Sequence, residues 1–419
     1  MTAAGSDSAS RGFGGLLADA HAALPGIVAL RRSIHRFPEL GTQLPRTQQA
    51  VLEALDGLGL DLTTGSRLSS VTATLEGGRP GPAVLLRADM DALPLDEETG
   101  LDFASRLPGT MHACGHDTHT AMLVGAARLL AARRSQLTGR VVFMFQPAEE
   151  SGGGAQRMID EGVLESADGI GVAAAFALHI TTRFDSGTFH LRPGPIFAAS
   201  DGLHVTVRGR GGHASAPHRV LDPVPVACEI VQALQSMVTR TIDVFDPAVV
   251  TVASIHAGTT TNIIPETAEI RGTFRTLSPT TRQLVRDGIT RVAHHVAAAH
   301  GAHADVTLTE GYPPVVNDAS FTAAIQDTAA TLLGADRVHL LPEPFMGAED
   351  FSYVLQRVPG AIGFLGARPP GIAPAEAPDL HSNRVVFDEE ALATGAALHA
   401  AAALRAGSSG DGTHVHPRS

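Results

Sequence analysis

The chain has 419 residues, 44% of them apolar and 18% charged, and a formal net charge of −12. That length exceeds one compact core and predicts two domains, while the composition is that of a globular α/β protein. The negative charge argues against nucleic acid or an anionic membrane as main partner, and with no Trp and two Tyr there is no evident platform for stacking bases.

Residues 1–12 are small and polar and read as a disordered end; they lack a basic head followed by an apolar run, so no secretion signal is expected and the expected location is cytoplasmic. From 16 to 35 apolar residues recur at helical spacing, and Phe37-Pro38 then breaks the helix. Strand-like runs follow at 71–75 and 84–88, then a helix from near Asp117 through Leu130, a strand at 141–146, a helix near 155–161 and a strand at 172–178. Strands alternating with helices of this length predict a mostly parallel sheet flanked by helices.

After Arg192-Pro193-Gly194-Pro195 the pattern changes to an alternating run at 202–209, a helix at 224–238, strands at 249–255 and 268–275, and a helix at 283–300. Strand, helix, strand, strand, helix, strand is the order of a small α+β (ferredoxin-like) domain. Punctuation typical of βα units resumes after Gly311-Tyr312-Pro313-Pro314. The expected organisation is therefore an insert at 195–310 within a larger domain built from 13–194 and 311–407. Residues 408–419 read as a second disordered end, with His414 and His416 solvated.

Two cysteines make a disulfide framework implausible. Cys228, in an Ala/Val-rich helix, is expected to be a buried small apolar residue. Cys114 lies in Met111-His112-Ala113-Cys114-Gly115-His116-Asp117-Thr118-His119, just before a helix start whose dipole favours a thiolate. Cys, His and Glu are ligand types for Zn²⁺ and its neighbours, and the pair Glu149-Glu150 offers a further carboxylate as a base for metal-assisted hydrolysis. Taken singly these signals are weak. Glu149-Glu150 alone is a solvated helix start, His179 alone a hydrogen-bonded core histidine, and His381 in Asp379-Leu380-His381-Ser382 a loop residue. Their joint occurrence carries more, because Asp89 and Asp91, Glu149 and Glu150, and His179 each follow a predicted strand, at the sheet edge where open α/β folds bind ligands.

Seven motifs in order resemble one family between about Arg31 and Leu404. They are Arg32-Ser33-Ile34-His35 with Pro38-Glu39-Leu40-Gly41; Arg87-Ala88-Asp89-Met90-Asp91-Ala92-Leu93-Pro94; the 111–119 turn; Gln146-Pro147-Ala148-Glu149-Glu150; Gly209-Arg210-Gly211-Gly212-His213-Ala214-Ser215-Ala216-Pro217-His218; Asn262-Ile263-Ile264-Pro265; and Gly347-Ala348-Glu349-Asp350-Phe351. The chain resembles metal-dependent amidohydrolases of the aminoacylase and carboxypeptidase-G superfamily, in the branch of hippurate and auxin-conjugate hydrolases. The resemblance implies two divalent metal ions (Zn, Mn, Co or Ni) held by Cys114, His116, Glu150, His179 and His381, with Cys114 shared between them. It implies Glu149 as catalytic base, Asp91 as the orienter of a histidine ligand, and His213, from the insert, as the group polarising the substrate carbonyl. Asn262 and Arg275 are implied as grips for a substrate carboxylate, the substrate as a small N-acyl amino acid, and the assembly as a homodimer formed through the insert. One stretch, Thr42-Gln43-Leu44-Pro45-Arg46-Thr47, departs from the family pattern where a glutamate usually precedes the threonine. His35, Arg87, His112 and His119 are expected to serve in hydrogen bonding and packing around the site.

Three other readings compete. A dipeptidase or carboxypeptidase would use the same residues on another substrate. A cysteine hydrolase with Cys114 as nucleophile would leave Glu149, Glu150, His179 and His381 without a role. A non-catalytic metal-binding regulatory protein would not need Glu149. The residues that shape the pocket, among them Phe184, Phe197, Phe345, Met346 and Tyr353, do not name the acyl group.

Overall fold

The computed structural model describes residues 13–165 and 171–408, and the chain divides into two compact units. The first contains the chain up to Gly194, Val316–Glu343 and the chain from Tyr353 onwards; the second contains Pro195–Val315 and Pro344–Ser352. The expected disordered ends lie outside the described residues, except Ser408, which closes the last helix.

In the first unit the strands are β1 (Asp61–Thr64), β2 (Val71–Glu76), β3 (Arg79–Asp89), β4 (Thr138–Gln146), β5 (Val172–Asp185), β6 (Phe189–Leu191), β7 (Val338–Leu340) and β8 (Gly360–Arg368). They form one sheet in the order β1-β2-β4-β3-β5-β8-β6-β7. The centre is parallel, β4 with β3, β3 with β5 and β5 with β8, whereas β1, β2 and the β8–β6 pair run antiparallel. Every residue of β8 is buried, as is β3 from Ala83 to Asp89, which is why Val84-Leu85-Leu86 is a continuous apolar run rather than an alternation.

The flanking helices are α1 (Leu16–His35), α2 (Pro45–Leu55), α3 (His116–Ala131), α4 (Gly154–Asp160), α5 (Ala319–Leu333) and α6 (Ala391–Ser408). Helix α3 is buried without a break from His116 to Ala127, packed between α1 and α6. That burial needs small residues at the crossings. A Cβ on Gly125 would sit 2.6 Å from Ile27 Cδ1 and 3.0 Å from Ala396 Cβ, so glycine there sets the helix spacing. The departing stretch at 42–47 starts α2, and its helix end is capped from upstream. Glu39 accepts hydrogen bonds from the Arg46 and Thr47 backbone N–H groups (3.2 and 2.9 Å) and from the Thr47 hydroxyl (2.9 Å).

The second unit has a four-stranded antiparallel sheet in the order Ala248–Ala257, Thr267–Thr276, Ala199–Arg208, His303–Thr309. Helices Pro223–Thr241 and Pro279–Ala299 pack on it around Leu203, Val205, Ile230, Leu234, Phe274 and Ile289. Their first turns are capped by Asp222 and Ser278. A two-residue strand, Gly212–His213, pairs with Ile263–Ile264. Cys228 corrects the expectation made for it, because it is exposed. In its helix the buried stripe is Val226, Ala227, Ile230, Leu234 and Met237, and position 228 falls just off that face.

Candidate metal centre

The strands of the first unit deliver the chemistry at one end of the sheet. Strand β3 stops at Asp89, with Asp91 just beyond, and β4 stops at Gln146, ahead of Glu149 and Glu150. The two segments are stitched together by Asp91, whose carboxylate accepts the backbone N–H of Glu149 (2.9 Å) and of Glu150 (3.1 Å). Between them Ala148 holds φ +61°, a left-handed conformation that costs a residue with a Cβ about 1–2 kcal/mol. His179 differs from expectation in one respect. It lies inside β5 rather than after it, because β8 continues the pairing through Phe364↔His179 and Leu365↔Ile180.

The 111–119 turn places Cys114 against Gly115, the residue before α3, at φ +83°. A Cβ at Gly115 would drive into Ile180 Cγ2 and come within 3.1 Å of the Phe387 ring, so both conformation and space require glycine. From the other side, His381 also holds a left-handed φ of +66°, and its backbone N–H donates to the Ala113 carbonyl at 2.9 Å. That bond joins the last part of the site to the turn bearing Cys114.

Donor atoms from these segments form overlapping groups, each with its atoms within 4.8 Å of one another: Cys114, His116 and His179; Cys114, Glu150 and His381; His116, Glu149 and Glu150; and Asp89, His116 and His119. Cys114 Sγ lies 3.5 Å from His179 Nε2, and His381 Nε2 lies 3.3 Å from Glu150 Oε1. The His179 tautomer is set by its own strand, since Nδ1–H donates to the Ile180 carbonyl at 2.8 Å and leaves the Nε2 lone pair facing Cys114. His116 is fully buried and neither ring nitrogen makes a hydrogen bond; Asp91 Oδ1 is 3.5 Å from Nδ1, and Asp89 Oδ2 and Glu150 Oε1 are 3.6 and 3.9 Å from Nε2.

The residues set aside as supports have definite contacts. The His119 Nδ1–H donates to Asp89 Oδ1 (2.6 Å) and its Nε2 accepts the Ile180 N–H (2.8 Å), so both nitrogens are engaged. Arg87 donates to Asp89 (2.7 Å) and to Gln146 (2.9 Å), tying β3 to β4. His35 donates from both ring nitrogens, to Asp117 (2.7 Å) and Glu97 (3.2 Å), and Asp117 also takes a hydrogen bond from Arg31 (2.7 Å). His112 is buried with neither nitrogen hydrogen bonded.

The electrostatics are those of a site short of positive charge. Burial opposes a charged His116, yet Asp89, Asp91 and Glu150 outweigh it and raise its pKa to about 10. Contact with Glu150 likewise raises His381. With no metal beside it, the Cys114 thiol is pushed well above the free value by burial, reinforced by Glu150, Glu149 and Asp89, against the pull of the helix dipole. The carboxylates face the sulfur directly, whereas the α3 dipole is worth only a fraction of a charge.

His213, Asn262 and Arg275 belong to the second unit. His213 is exposed, and its Nδ1 accepts the Ser215 N–H at 3.1 Å, which leaves Nε2 to carry the proton. The Asn262 carbonyl accepts the Ala214 N–H (3.1 Å), and its side-chain oxygen accepts from Thr260 (3.0 Å). Arg275 is half-buried, and its pKa is lowered by that burial although Asp201 pulls the other way.

Residues 85–405 match the sequence pattern of the family described as Peptidase family M20/M25/M40. The chain belongs to this family. Among its relatives, Thermostable carboxypeptidase 1 of Saccharolobus solfataricus is 40% identical over 386 residues, 90% of this chain and 95% of that protein. IAA-amino acid hydrolase ILR1-like 4 of Arabidopsis thaliana is 38% identical over 383 residues, 90% of this chain and 85% of that protein. The solved structure of the Bacillus subtilis YxeP protein, described as a dinuclear metal binding peptidase from the M20 family, is 34% identical, with a TM-score of 0.79 over 91% of this chain and 98% of that one. The M20 chain is thus a hydrolase with a mostly parallel α/β sheet flanked by helices. Sequence reasoning assigns no site role to Asp89, which the fold brings in. Asp89 ends β3, accepts hydrogen bonds from Arg87 and His119 and lies 3.6 Å from His116, and its place at a strand end beside Asp91 is the signal that marks it.

Proposed function

We propose that the protein hydrolyses the amide bond of N-acyl amino acids, giving a carboxylic acid and a free amino acid. Two divalent metal ions would be held by Cys114, His116, Glu150, His179 and His381, with Cys114 common to both. The observation that carries this reading is the overlap of the donor groups at Cys114 and Glu150. The orphaned nitrogens of buried His116 and the excess of carboxylates over cationic groups fit a cation-binding pair of sites. Mixed sulfur, nitrogen and oxygen donors suit Zn²⁺, with Mn²⁺, Co²⁺ and Ni²⁺ as competitors that analysis of the bound metal separates.

Bound ions supply a Lewis acid for the scissile carbonyl and lower the pKa of water towards about 7. Glu149 takes the proton as water attacks and delivers it to the leaving amine. Asp91 holds the Glu149-Glu150 backbone and faces His116 Nδ1, so the base and one ligand move as a unit. His213, with its proton on Nε2, donates to the developing oxyanion, and Asn262 and Arg275 grip the substrate carboxylate. The 195–310 region serves as a lid and joins two copies into a homodimer.

Glu149→Gln is expected to bind metal as the parent does and to lose nearly all turnover; near-normal activity would remove Glu149 as base. The 40% identity to a carboxypeptidase supports a second reading, cleavage of peptides at the same centre. A panel of hippurate, N-acetyl amino acids, indole-acyl conjugates and dipeptides decides between them, with faster hydrolysis of the dipeptides favouring the peptidase.

A further inference from the structure

We propose that Arg183 is a positioning residue for His381, acting through Asp379. Arg183 lies four residues beyond His179 on β5 and grips Asp379 with two nitrogens, Nε at 3.0 Å and Nη2 at 2.6 Å from Oδ2. Asp379 uses its other oxygen to accept the Leu380 N–H at 2.9 Å, and its carbonyl accepts the Ser382 N–H at 3.1 Å. One residue earlier, the Thr182 hydroxyl donates to the Pro378 carbonyl at 2.7 Å. On the far side of His381 the loop is fastened again, by Arg384 to Glu98 (2.7 Å) and by the Glu98 N–H to the Asn383 carbonyl (2.8 Å).

The segment thus held contains His381 in its left-handed conformation. A residue with a Cβ does not rest there unaided, so the anchors on either side and the bond to Ala113 keep its imidazole turned toward Glu150. Strand β5 then sets two histidines at once, His179 as part of the strand and His381 through the Arg183 fork. An exposed ion pair usually contributes little, and Arg183 and Asp379 are 52% and 47% exposed. This pair differs in its planar two-point geometry and in an acceptor already committed to the loop backbone. Its exposure also means that its removal leaves the core of the fold intact.

The inference rests on the metal reading above, and Co²⁺ titration of chelator-stripped protein separates the two. The unaltered protein is expected to take up two Co²⁺ ions. Arg183→Met is expected to bind one ion normally and the other about tenfold more weakly, with an altered cobalt absorption band, as loss of a group that orients a ligand does. Arg183→Lys should fall between. Salt at 0.5 M should weaken one site of the unaltered protein and leave Arg183→Met little changed. Two sites of unchanged affinity and spectrum in Arg183→Met overturn the inference alone. Failure of the unaltered protein to bind two ions overturns the metal reading and the inference with it.

Discussion

His399 on α6 is fully buried against Phe176, with neither ring nitrogen hydrogen bonded, and burial lowers its pKa to about 3. Above pH 6.5 the imidazole is neutral in folded and unfolded chains alike, and its full contribution to stability is present. As the pH falls below 6.5 the unfolded chain binds a proton that the folded chain refuses until about pH 3, so stability is lost through that window. Urea unfolding at pH 7 and pH 5 should show His399→Leu losing about 2 kcal/mol less than the parent between the two. An equal loss would mean that His399 does not titrate in this way. His35 acts in the opposite sense, since Asp117 and Glu97 overcome its burial and raise its pKa; its contribution is full below pH 6.5 and fades as the pH climbs through the raised value.

At the scale of elements, a helix face separates the two cysteines. Cys228 stands one position off the buried stripe of its helix, while Cys114 is enclosed and its thiolate disfavoured. A disulfide reagent such as Ellman's should therefore modify one thiol of the native protein quickly, and Cys228→Ser should abolish that fast phase; a fast phase surviving in Cys228→Ser would contradict the placement of Cys114. The apolar runs of β3, β4 and α3 are long enough to name their elements. Cys228 and His179 were misjudged because helix rotation and strand length are settled by neighbours, here the sheet beneath one helix and β8 beside β5. The convergence of Asp89, Glu149 and Glu150 is legible as strand-end chemistry. His381 is not, since its place depends on a left-handed residue and a bond to Ala113, and only the family resemblance points to it.

At the scale of the whole molecule, the proposed metal ligands and the base all belong to one unit and His213 to the other. Within the proposed homodimer, His213 acts either in its own subunit or on its partner. Mixing His213→Ala with Glu149→Gln subunits tests this: recovered activity places His213 across the interface, and none places it within one chain. No helix among the described residues is long and apolar enough to cross a membrane.

The first unit is discontinuous in the chain, and α6, packed on α1, α3 and β3, is its last element among the described residues. During synthesis Cys114, His116, Glu150 and His179 therefore leave the ribosome long before His381 and α6. A growing chain carries most of the proposed ligand set while β7, β8, α5 and α6 of the same unit are still to come. His381 is thus the last of the proposed ligands to be made, and a chain that stops short of it carries four of the five.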